Sequence, residues 1–266
     1  MRTCVFLIFP FLQPLFAEYA TVGGIKMYYE IHGQGRPVVL LHGGFNSIQT
    51  SFAKQIPALS RNHRVIAIEQ MGHGHTPDVP GRELSYERMA EDTAGLLAQL
   101  GIQSTDLVGW SDGGQIALIL AFTRPELVRR VVVSGVGLGP TPGMLKELAD
   151  EQQFAKLSAD WFPEGRAEYA RVSPDGPEHW SVYVEKGRKM WAKPAWGISV
   201  PQLARIKAPT LIVAGDRDVL SIEDTARLFQ SIPNAQLCIL PGTDHSTFQT
   251  RPDWLNPIIL DALDRD

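Results

Sequence analysis

The stretch Gly109-Trp110-Ser111-Asp112-Gly113-Gly114 sets a serine in a G-x-S-x-G frame. An apolar run suited to a strand (TDLVGW, 105–110) precedes it, and a strongly apolar helical run (QIALILAF, 115–122) follows. The glycines have a steric reason: a serine on a sharp strand-to-helix turn needs bare neighbours two positions away on either side. Such a turn lifts the hydroxyl above the sheet and leaves N–H groups of a helix N-terminus beside it. A hydroxyl is a poor nucleophile until a base takes its proton. His245, in PGTDHSTF after the run QLCIL (236–240), stands where a loop beyond the last strand would deliver an imidazole. The acid that orients such a base falls between serine and histidine in chain order. In Gly215-Asp216-Arg217-Asp218, directly after the run TLIVAG (210–215), either aspartate is within reach. Asp218 is the better placed, because Asp216 sits nearer the strand end and suits a turn.

These residues need a scaffold. Residues 19–31 (YATVGGIKMYYEI) form two strand patterns joined at Gly23-Gly24, a hairpin signal. PVVLL (37–41), VIAI (65–68), TDLVGW, VRRVVVSG (128–135), TLIVAG and QLCIL are continuous apolar runs that suit strands buried on both faces. Helical patterns lie near 49–60, 85–100, 113–124, 221–231 and 252–263. Strands alternating with helices predict a parallel sheet covered on both sides. The alternation breaks between Gly135 and Thr210, in a segment that opens GVGLGPTPG and carries Trp161, Trp180, Trp191 and Trp196. A stretch that long folds on its own or has a function. It reads as a helical cap, about 137–205, inserted over the sheet.

The motifs HGG (42–44), GHGHT (72–76), GWSDGG, GDRD and the DH of 244–245 together resemble the α/β-hydrolase superfamily from about residue 20 onward. The resemblance implies the α/β-hydrolase fold: a mostly parallel sheet of about eight strands flanked by helices, with the inserted cap. It implies a Ser111–His245–Asp218 triad, an oxyanion hole from the backbone N–H groups of Gly44 and Asp112, and neither a metal nor an organic cofactor. Each such donor is worth roughly 3–4 kcal/mol to an oxyanion in other hydrolases. Phe45, Trp110, Trp161 and Trp191 are candidates to line a substrate pocket. The cap aromatics have a second reading, as the small core a cap requires. GWSDGG is also similar to the elbow of hydrolases of amino-acid esters, where an acidic neighbour favours a cationic amino group. Glu69-Gln70 and Thr76 depart from the commoner family pattern at positions that concern packing. His42 reads as structural, and so do His73 and His75, which lack a third metal ligand.

The chain's 266 residues allow one substantial core plus an insertion. A net charge of −4 without like-charge blocks offers nothing to nucleic acid. Arg2 followed by the apolar run from Cys4 to Phe16 and by Ala17 matches a secretory signal peptide, residues 1–17. The run is too short for the roughly 20 residues of a membrane span. Export to the periplasm or medium is the expectation, with a cytoplasmic location if the segment is not a signal. Cys4 would leave with the signal, and Cys238 reads as a buried strand residue. The reaction expected is hydrolysis of a small-molecule carboxylic ester through an acyl-enzyme. The same triad would also serve a lactone, an amide or a carbon–carbon bond. A ligand-binding relative with a vestigial site is the reading from outside enzymology.

Overall fold

The computed structural model describes residues 16–265, so residues 1–15 of the expected signal peptide (1–17) lie outside the described residues. Eight strands form one sheet: β1 (Phe16–Val22), β2 (Ile25–His32), β3 (Arg36–Leu41), β4 (His63–Ile68), β5 (Thr105–Trp110), β6 (Val128–Ser134), β7 (Thr210–Gly215) and β8 (Ala235–Leu240). Their spatial order is β1-β2-β4-β3-β5-β6-β7-β8. β1 and β2 pair antiparallel around Gly23 and Gly24, whose φ values of 56° and 82° are those of a hairpin turn that side chains disfavour. Ala17 lies within β1, opposite Glu30. β2 also runs antiparallel to β4, and every remaining pairing is parallel.

The apolar runs divide by parity, as strands buried on both faces must. Val39, Leu41, Ile66, Ile68, Leu107, Val131 and Val133 face one core, closed by the helices Tyr86–Gln99 and Asp112–Thr123. Val38, Leu40, Val65, Ala67, Val108 and Val132 face the other, closed by Ile48–Phe52 and the C-terminal helix Pro252–Asp264. The pattern at 49–60 resolves into two short helices, Ile48–Phe52 and Ile56–Leu59, in place of one. Pro57 explains the break: it has no N–H to extend the first helix and suits the first turn of the second. β8 is a sheet edge, so Cys238 is half-buried where the sequence suggested a buried position. Burial still pushes its thiol pKa up, away from reactivity.

Between β6 and β7 the chain builds the cap from helices Pro142–Ala149, Glu151–Trp161, Pro163–Val172 and Trp180–Trp191. Thr141 and Asp150 cap the first two, each side chain accepting a backbone N–H of the first turn. Two groups of contacts help to seat the cap. Lys186 Nζ donates to both carboxylate oxygens of Asp78 at 2.7 Å and to the carbonyl oxygens of Val79 and Arg82. Phe45, from the loop after β3, inserts its ring among Phe162, Trp180, Tyr183 and Trp191, with centroids 4.9–5.7 Å away.

Candidate active site

Ser111 stands between β5 and the helix Asp112–Thr123 with φ 52° and ψ −118°, a conformation side chains disfavour. Its N–H donates to Ser134 O at 2.8 Å, tying the turn to β6. The bare flanks are required: a Cβ on Gly113 would stand 1.9 Å from Leu41 O, and one on Gly109 would stand 2.4 Å from Gly113 O. The turn can close only where the chain carries no side chain.

Ser111 Oγ lies 2.9 Å from His245 Nε2, and His245 Nδ1 lies 2.8 Å from Asp218 Oδ1. Because the carboxylate can only accept, Nδ1 carries the hydrogen, which leaves Nε2 facing the serine hydroxyl. Asp218 Oδ1 also accepts the Leu220 N–H at 3.0 Å, and its side chain is fully buried, while the imidazole is about a quarter exposed. Asp216 lies elsewhere: it is exposed, and its carboxylate accepts the Thr243 N–H at 3.2 Å, clipping the aspartate loop to the histidine loop. Trp110 Nε1 donates to His245 O at 2.8 Å and holds that second loop from beneath.

The loop after β3 supplies the second wall. None of the hydrogen bonds among the described residues uses the N–H of Gly44 or of Asp112, the latter at the first turn of its helix. Gly44 is where side chains crowd the backbone: a Cβ there would stand 2.4 Å from Asp112 Oδ2 and 2.6 Å from the Trp191 ring. His42 fixes the loop. Its Nε2 accepts the Gln70 N–H at 3.0 Å, so Nδ1 holds the hydrogen and donates to Gly43 O. Burial lowers the pKa of His42, and that of His73 well below the ordinary value, keeping both rings neutral. His75 instead gives its N–H and ring to the Glu69 carboxylate, which pulls its pKa up. Thr76 accepts the Tyr28 N–H and donates to Glu69 O, so the two departures from the family pattern lock one loop together. Among the described residues no group of three or more His, Cys, Asp or Glu side chains is arranged to hold a metal.

Asp112 is buried, and burial raises its carboxyl pKa to about 6. Its Oδ1 accepts from Tyr86 Oη at 2.7 Å and Trp191 Nε1 at 3.0 Å, and Oδ2 lies 3.1 Å from the same indole nitrogen. Of the four aromatic residues picked as pocket lining, Trp191 alone abuts this carboxylate. Phe45 is 2% exposed because its ring seats the cap. Trp110 faces the core on the far side of the sheet. Trp161 ends its cap helix 46% exposed, its ring edge-on to Phe154. Tyr86 and Tyr183, which donates no sequence signal beyond an apolar helical position, are the neighbours that sequence reasoning missed. Tyr183 Oη accepts the Phe45 N–H at 3.1 Å.

Residues 38–258 match the family model described as "Alpha/beta hydrolase family". The chain belongs to that family. This α/β-hydrolase is 30% identical to a 2-hydroxy-6-oxo-2,4-heptadienoate hydrolase of Pseudomonas putida, across 84% of its own length and 87% of the relative's. It is 28% identical to the serine hydrolase BPHL of Mus musculus, across 91% of its length and 84% of the relative's. Among solved structures, the meta-cleavage product hydrolase CumD of Pseudomonas fluorescens IP01 superposes with a TM-score of 0.79 at 26% identity, covering 93% of this α/β-hydrolase and 97% of that chain.

Proposed function

We propose that this α/β-hydrolase cleaves a carboxylic ester through an acyl-enzyme formed on Ser111. The unbroken line from Ser111 Oγ through the His245 ring to Asp218, at 2.9 Å and 2.8 Å, carries the reading. His245 Nε2 takes the hydroxyl proton as Ser111 attacks the carbonyl carbon, and returns it to the departing alcohol. Asp218 holds the tautomer and stabilises the imidazolium that forms. The N–H groups of Gly44 and Asp112 stand ready to receive the oxyanion. Water, activated by the same imidazole, then releases the acid. The same line of atoms would attack the carbonyl of an oxo-dienoate, the substrate type in the name of the P. putida relative. A panel of esters, lactones, amides and oxo-dienoates separates these bonds by kcat/KM.

The decisive experiment is release of p-nitrophenol from short acyl esters by wild type and Ser111→Ala. The expected loss is about a thousandfold or more, with an unchanged circular dichroism spectrum. Undiminished turnover in the variant would remove Ser111 from the mechanism.

A further inference from the structure

Asp112 sits next to the nucleophile in sequence, and its Oδ2 presses so closely on Gly44 that a Cβ there would stand 2.4 Å away. Its carboxylate thus lies against Gly44, one of the two residues whose backbone N–H groups are read as the oxyanion donors, the other being Asp112 itself. The donors that hold it, Tyr86 Oη and Trp191 Nε1, are neutral, so they stabilise the carboxylate without cancelling its charge. The one charge that lowers its pKa is that of His245. Four cations of the cap segment are committed elsewhere. Arg188 binds Glu185 and Leu148 O, Lys186 binds Asp78, Lys189 binds Glu185, and Lys193 lies 3.7 Å from Glu83. Asp218 adds a second, fully buried carboxylate behind the imidazole.

We propose that Asp112 determines specificity by charge, selecting neutral acyl groups and rejecting acyl groups that carry a carboxylate. The inference rests on Ser111 being the nucleophile. The proposal has Asp112 act through space: it is 6% exposed, and the Tyr86 hydroxyl and the one Trp191 N–H hold its oxygens.

The test compares kcat/KM for three p-nitrophenyl esters of similar acyl length: hexanoate (neutral), glutarate (anionic) and γ-butyrobetaine (cationic). Wild type and Asp112→Asn are assayed at about pH 8, where a carboxyl raised to about 6 is ionised. Wild type should favour hexanoate over glutarate by about tenfold or more, and Asp112→Asn should shrink that gap by about tenfold. Hexanoate and betaine esters should differ by less than about tenfold. A glutarate gap that persists unchanged in the variant overturns the proposal. So does a betaine preference of about a hundredfold that the variant abolishes, which would mark direct ligation. If Asp112→Asn fails to fold, the wild-type comparison still decides: equal rates on glutarate and hexanoate overturn the proposal. Absence of any hexanoate turnover is a separate result, which sinks the Ser111 reading and the charge selection with it.

Discussion

Ser111 occupies a backbone region that costs a side-chain-bearing residue about 1–3 kcal/mol, and the surrounding strands supply the constraint that holds it there. At this scale the two aspartates of GDRD give the sharpest contrast. Asp218 meets the imidazole, whereas Asp216 meets only a backbone N–H. Asp218→Asn should lower kcat on the neutral ester by about a thousandfold, because an amide at that position favours the wrong tautomer of His245. Asp216→Asn should change it by less than about fivefold, since an amide oxygen can still accept the Thr243 N–H. Equal losses in the two variants, measured by steady-state kinetics, would contradict the assignment. Chain order and the G-x-S-x-G frame made Ser111, His245 and the preference for Asp218 legible in the sequence. The partners of Asp112 were not legible. Tyr86 lies 26 residues before it and Trp191 lies 79 after, and no periodicity links positions brought together by tertiary packing.

The cap is where elements meet across the site. Trp191, the last residue of the helix Trp180–Trp191, reaches Asp112, and Gly187 one turn earlier lies under the Phe45 ring. A Cβ at Gly187 would stand 2.4 Å from Phe45 Cζ, inside a ring cluster with little slack. Gly187→Ala should therefore lower stability by about 1–3 kcal/mol through overpacking. Because Trp191 moves with the helix, KM should rise by about threefold or more while kcat changes less. A thermal melt and Michaelis parameters identical to wild type would show that the helix yields without cost. The apolar runs specified the strands well, since residues buried on both faces leave a continuous signal. The aromatic residues of the cap were harder, because a ring at helical spacing looks the same whether it meets substrate, a neighbouring ring or solvent. Phe45, from the loop after β3, and Trp161, from the cap, show the range: one ring is 2% exposed among the cap rings and the other 46% exposed.

Across the whole molecule, the buried carboxyl of Asp112 links the site to stability. Burial raises its pKa from 3.8 to about 6, with Tyr86, Trp191 and His245 opposing the rise. Between those two values the folded chain binds more protons at this site than the unfolded chain, so stability falls as pH rises. Asp112 therefore costs nothing below about pH 4, and its burial penalty grows to roughly 3 kcal/mol above about pH 6. Tyr86 and Tyr183, whose hydroxyl pKa values burial raises well above the ordinary value, stay neutral across this range in both wild type and Asp112→Asn. Asn keeps an acceptor for Tyr86 and Trp191 but carries no charge to bury. The melting temperature of Asp112→Asn relative to wild type should thus increase by several degrees from about pH 4 to about pH 8, given roughly 2–4 °C per kcal/mol for a chain of this size. A difference that stays flat across that range would mean the carboxylate reaches the folded state already ionised at no cost, through solvent or donors that the packing around Gly44 does not provide.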